Sequence, residues 1–134
     1  MLYEFDLTIP ANTLPSAPLK LDVVLDAGII TGVQVQIPNG CVGLTHARVY
    51  DGNHQLWPSN PDNDFKGSGH VLDWRESYPL EREPFSLTLV GWNNDDTYQH
   101  TITFRFELAA ITDVVPEEEG NHPLTLADIL AGLA

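Results

Sequence analysis

Five histidines and nineteen Asp and Glu residues are the main groups that could do chemistry in this 134-residue chain. His46 and His54 flank Asp51-Gly52, a strong hairpin signal because both turn residues tolerate positive φ. On such a hairpin the two imidazoles would be cross-strand neighbours, and paired histidines on adjacent strands can bind zinc or iron. A third ligand and a carboxylate are needed as well, and no spacing supplies them clearly. The plainer reading of His46 and His54 is a polar outer face or a subunit contact. His100 lies in register with Ile102 and Phe104, which points to a hydrogen-bonded histidine at the core edge.

The stretch Asn60-Pro61-Asp62-Asn63-Asp64 places side-chain oxygens at alternating positions, as a loop around calcium does. A calcium loop wants Gly after the third ligand and a later bidentate Glu, but Phe65 stands in the glycine position. Asp62 and Asp64 therefore read first as residues that cap their own loop backbone. Glu81/Glu83 and Asp73/Glu76 could mimic a glycosidase pair, yet that chemistry needs one raised pKa and a fixed separation. The single Cys41 excludes an intrachain disulfide and reads as a small buried thiol, not a nucleophile. No phosphate loop, dinucleotide fingerprint or nucleophile elbow is present. Trp57, Trp74, Trp92 and Tyr98 fall at strand ends beside polar loops, where they would stack on a sugar, anchor an interface or lid the sandwich.

These residues need a scaffold, and the pattern that supplies it is alternation. Tyr3, Phe5, Leu7 and Ile9 alternate with Glu4, Asp6 and Thr8. Similar runs cover 19–25, 29–37, 43–50, 54–57, 71–74, 85–92 and 98–108, with most prolines and glycines between them. About eight strands, with no helical pattern before residue 120, predict an all-β antiparallel sandwich, jelly-roll-like in its long loops. An immunoglobulin-like sandwich ranks second, because Cys41 alone cannot supply that fold's usual inter-sheet disulfide. Tyr3, Phe5, Leu7, Val33, Val35, Leu87, Leu89, Ile102, Phe104 and Phe106 are the expected core.

The formal charge is −13, from six basic and nineteen acidic residues. That argues against nucleic acid and against an anionic membrane surface, since both need basic clusters. Met1 to Pro10 alternates and carries Glu4 and Asp6, unlike a signal peptide, so synthesis in the cytoplasm is expected.

The pattern changes near residue 110, giving a β-sandwich domain over 1–109 and a tail over 110–134. The tail holds five acids and no Lys or Arg. Its Pro116–Gly120 segment reads as an acidic linker. Thr125 is a helix N-cap signal, and Leu124 and Ile129 are spaced for a hydrophobic staple. Leu126, Ile129, Leu130 and Leu133 form one apolar stripe at helical spacing. A helix this short is marginal alone. Leu124, Leu126, Ile129, Leu130 and Leu133 are therefore expected to dock into a partner's groove or onto the chain's own sandwich.

The segments Ile37-Pro38-Asn39-Gly40-Cys41-Val42-Gly43-Leu44-Thr45-His46-Ala47-Arg48-Val49-Tyr50-Asp51-Gly52 and Trp92-Asn93-Asn94-Asp95-Asp96-Thr97-Tyr98 look like parts of virion-associated proteins. Over residues 2–109 the chain resembles small jelly-roll structural proteins of tailed-phage-like virions: decoration, spike and head–tail proteins. The resemblance carries over no functional residue. It implies a non-enzymatic virion component, without metal or cofactor, that binds itself or other virion proteins, with homo-oligomers as the expected state. A carbohydrate-binding module is the second expectation, and a small cupin-like metalloprotein using His46 and His54 the third.

Overall fold

The alternating runs do become strands, and their inward residues meet between two sheets. A computed structural model describes residues 1–110. Eight strands follow in order: β1 (Leu2–Ile9), β2 (Leu19–Val24), β3 (Gly28–Ile37), β4 (Thr45–Asp51), β5 (His54–Trp57), β6 (His70–Leu80), β7 (Ser86–Asn93) and β8 (His100–Ala109). One antiparallel sheet has the order β1-β8-β3-β6 and the other β2-β7-β4-β5. Consecutive strands switch sheets except at the β4–β5 hairpin, which is the jelly-roll arrangement. The helix expected over Leu126–Leu133 lies outside the described residues, as do all the proposed docking leucines.

The core is what the alternation predicts. Leu7, Ile9, Val33, Val35, Ile102, Phe104 and Phe106 are buried from the first sheet, and Val23, Val49, Leu87 and Leu89 from the second. Tyr3 and Phe5 pack against this cluster half-buried. Gly91 lets the sheets close: a Cβ there would lie 2.5 Å from Ile9 Cδ1, so only glycine admits the β1 side chains.

Two strands depart from expectation. β6 reaches Leu80, well past Trp74, although Pro79 interrupts the pattern. It is an edge strand bonded only to β3, and an edge tolerates a residue without an N–H. In β5 a register shift opposite Val49/Tyr50 sets Trp57 against Val49. The extra residue breaks the alternation, so Leu56 and Trp57 both turn inward.

The topology sorts the connections to two ends. Loops 10–18, 38–44, 58–69 and 94–99 share one end, because Ile9 pairs with His100, Ile37 with His70 and Thr45 with Asn93. Turns 25–27, 52–53 and 81–85 lie at the other. Ala109 is also at this turn end, paired with Ile29, so the chain continues from the side opposite the long loops.

Candidate functional site

The long-loop end is built around Asn93, the last residue of β7. Its side chain is fully buried, and every hydrogen-bonding position on it is used. Oδ1 accepts from the Thr45 hydroxyl at 3.3 Å and the Asp95 amide at 3.0 Å. Nδ2 donates to the Ile9 carbonyl at 3.2 Å and the Tyr98 carbonyl at 2.9 Å. One amide thus ties β1 of the first sheet to β4, β7 and loop 94–99.

Backbone bonds join the remaining loops to this hub. The Asn12 amide donates to Asp95 O at 2.9 Å, Asn93 N to Thr13 O at 2.9 Å and Asn94 N to Leu44 O at 2.9 Å. Gly43 N donates to Gly67 O at 3.0 Å and Gly69 N to Pro38 O at 3.1 Å. Asp95 braces its own loop: Oδ2 lies 2.8 Å from His100 Nε2, and Oδ1 accepts the Thr97 and Tyr98 amides. The bond from His100 and then the two amides hold the Asp95 carboxyl below its ordinary pKa. His100 is the core-edge histidine its register implied.

This frame presents apolar side chains to solvent. Leu14 is 60% exposed, Val42 72%, Leu44 39% and Tyr98 67%. They come from three of the stitched loops, 10–18, 38–44 and 94–99. Val42 has φ of 49°, a left-handed conformation that a β-branched residue rarely takes. The surrounding bonds hold a valine, side chain outward, where glycine would be more comfortable.

The sequence-predicted metal groups do not converge. His54 pairs with Asp51 at the turn end, whereas His46 pairs with Trp92 towards the loop end. Five residues of β4 separate the two positions, or about 17 Å of strand, so they are not cross-strand neighbours. His46 Nδ1 instead lies 2.6 Å from Asp64 Oδ1, and its ring stacks on Trp92 at 5.2 Å between centroids. Asn63 Oδ1 accepts the Asp64 amide, so the backbone capping expected of this loop comes from Asn63 and not from Asp62 or Asp64. Phe65 exchanges two backbone bonds with Ala47 and pins this loop to β4. Asp62 is exposed and takes φ of 66°. Among the described residues no group of three or more His, Cys, Asp and Glu is placed to hold a metal.

The four aromatics also separate. Trp57 and Trp74 both donate their indole N–H to Glu76 Oε1, each at 2.9 Å, in a cluster with Phe65, Tyr78 and Phe106. Trp57 is buried in that cluster and Trp74 half-buried. Glu76 is thereby engaged as an acceptor, not poised as half of an acid pair. Trp92 is buried on the outer face of the second sheet, between His46 and the Arg48 side chain. Only Tyr98 stands exposed, so the tryptophans form no common platform for a sugar ring. Cys41 is fully buried, and burial pushes its thiol pKa up, which suits a packing residue.

No protein-family model matches the sequence, and no curated protein matches it significantly. Among solved structures, one titled "Crystal Structure of FeII HppE" is similar with a TM-score of 0.39 and 9% identity. The alignment covers 79% of this chain and 43% of that one.

Sequence reasoning found Tyr98 but missed Asn93, Leu14, Val42 and Leu44. Asn93 sits in an Asn-Asn-Asp-Asp run that reads as any solvent-exposed turn. The only sequence signal for Val42 was its place beside Cys41 and Gly43, which marks a turn and nothing about the conformation of the valine.

Proposed function

We propose that the protein is a non-enzymatic structural and interaction protein, a virion component that self-associates through its long-loop end. The observation that carries this reading is the set Leu14, Val42, Leu44 and Tyr98, exposed on a frame of cross-loop hydrogen bonds. Apolar groups on a pre-ordered surface lose little entropy on association, which favours a partner over water. The held left-handed conformation of Val42 fits a contact position, since such strain concentrates where it serves binding. The likeness of 37–52 and 92–98 to virion-protein segments supports the same class, and residues 38–44 and 94–98 of those segments lie at this end. The partner in this reading is a second copy of the chain. In this reading Leu126, Ile129, Leu130 and Leu133 of the tail would give each copy a second contact.

Native mass spectrometry of the full chain from about 1 to 100 μM tests the reading. A defined oligomer is expected, and V42E with Y98E should return it to monomer. A strictly monomeric wild type over that range, or an oligomer indifferent to the double variant, would count against the loop end as the contact.

A further inference from the structure

The outer face of the second sheet carries two bases that no carboxylate among the described residues meets. β2 pairs with β7 so that Lys20 lies opposite Val90, and β4 pairs with β7 so that Arg48 also lies opposite Val90. Lys20, Val90 and Arg48 thus form one row across three strands, with the two bases about 10 Å apart at the backbone. The row floors a groove of about 390 Å³, walled by Pro15 and Pro18 on one side and the Gly52-Asn53 turn on the other. A groove of this volume holds a small ligand.

Among the described residues neither Lys20 nor Arg48 has a carboxylate within salt-bridge distance, although acids outnumber bases by nineteen to six in the chain. The nearest acid along β2 on the same face is Asp22, and its Oδ1 accepts the Thr88 hydroxyl at 2.7 Å. Arg48 is nonetheless fixed. Its Cζ stands 5.1 Å from the centre of the Trp92 ring, and Nη1 donates to the Tyr50 hydroxyl at 3.2 Å. Its Nε is buried without an acceptor. A protein seldom holds a guanidinium in place, strips one donor of water and supplies no counter-charge. Nε itself is closed to solvent, so a counter-charge entering from the open side of the groove would meet the Nη end of the guanidinium.

We propose that this groove binds a dicarboxylate, one carboxylate meeting the Arg48 guanidinium and the other the Lys20 ammonium above Val90. Two separated single charges suit two carboxylates better than one compact phosphate, and a planar guanidinium matches a planar carboxylate. The same chemistry has two sources: a free dicarboxylate, or the chain's own Glu117-Glu118-Glu119 run. The site lies on the sheet face and not at the loop end, so it stands or falls separately from self-association.

The test titrates adipate into the ¹⁵N-labelled full chain at low salt and follows amide shifts. The proteins are wild type, the full-length E117Q/E118Q/E119Q variant, R48Q and K20Q. Saturable shifts at Lys20, Arg48 and Val90 in wild type, weakened at least tenfold by R48Q and several-fold by K20Q, support the site and an outside ligand. Saturable shifts only in the triple glutamine variant support the site and assign its resting occupant to the chain's own acidic run. If R48Q does not fold, the affinity of K20Q decides in its place. The proposal is overturned if neither wild type nor the triple variant shows saturable shifts. It is equally overturned if R48Q, or K20Q in its place, made in whichever of the two parents shows saturable shifts, binds as that parent does, or if sodium chloride at matched ionic strength reproduces the pattern.

Discussion

The two ends of the sandwich solve the same problem in opposite ways. At the turn end the connections 25–27, 52–53 and 81–85 are short; the apolar residues exposed there, Met1, Leu2 and Val24, lie on strand ends and the N-terminus and not on loop tips. Tyr78, beside them, is tied down: its hydroxyl donates to Asp51 Oδ2, joining β6 of one sheet to the β4–β5 hairpin of the other. At the loop end Asn93 and Asp95 tie loops 10–18 and 94–99 to the strands, Asn94 N bonds Leu44 O, and loop 58–69 is joined to 38–44 by its own backbone bonds; Leu14, Val42, Leu44 and Tyr98 stay in water. A loop end that served only to close the sandwich would not need hydrophobic tips on so ordered a frame. In the proposed reading the turn end serves closure and the loop end contact.

The largest expected effect removes both ends together. F104A opens a void between the sheets, at a residue fully buried and paired with Phe5 and Val35. Truncating a buried Phe costs about 3–5 kcal/mol, a large share of a small domain's stability. Little soluble protein is expected; a soluble variant with unchanged Tm would mean that the inward face of β8 is misassigned.

N93A separates the ends. It deprives the Thr45 hydroxyl, the Asp95 amide and two carbonyls of partners, at about 1–3 kcal/mol overall as water entering the vacated loop end takes over most of these bonds. Hydrogen-exchange protection should fall in 10–18, 38–44 and 94–99 and stay intact around 25–27 and 81–85. A uniform loss over both ends would show that the loop frame is not a separate cooperative unit.

Each end also has its own pH limit. Burial and the bond to Asp51 raise the Tyr78 phenol from 10.0 to about 12. Folding therefore favours its protonated form; that contribution is whole below pH 10 and disappears as pH rises through about 12. Asp95 behaves oppositely. Its lowered pKa favours the carboxylate in the folded state, so its contribution is whole above the ordinary value of 3.8 and is lost as pH falls through the folded value. Y78F should flatten the alkaline limb of a Tm-against-pH curve and D95N the acid limb. Each variant altering the other's limb would break the assignment.

V42G is expected to have the smallest effect on stability and the most informative sign. A non-glycine residue in the left-handed region costs about 1–2 kcal/mol, so glycine should raise Tm by a few degrees. If the valine is kept for contact, the same change should weaken self-association. A lowered Tm would show that the side chain is a packing residue instead.

The sandwich was readable in the sequence because inward residues such as Leu87, Leu89, Ile102, Phe104 and Phe106 repeat at the strand period, and no local device opposes them. The pattern was less informative where one residue changes parity or position. The bulge opposite Val49 turned Trp57 into the core, and Pro79 concealed an edge strand that runs on to Leu80. The candidate contact surface was hardly legible. The exposure of Val42 depends on loops far apart in the chain closing around Asn93, and only the register of both sheets brings Asn93 to Ile9, Thr45 and Tyr98. The separation of His46 from His54 follows from the same register: a hairpin closed tightly at Asp51–His54 carries His46 to its far end.

Native mass measurement of V42E/Y98E beside wild type, over a range of concentrations, decides whether the loop end is a self-association surface. Both proteins should melt alike, because the two side chains are exposed. Wild type should form a defined oligomer at tens of micromolar, tightened by added salt as the −13 charges on each copy are screened, and the variant should stay a monomer. A wild type that remains monomeric under those conditions, or a variant that assembles as wild type does, would contradict a contact built on Val42 and Tyr98.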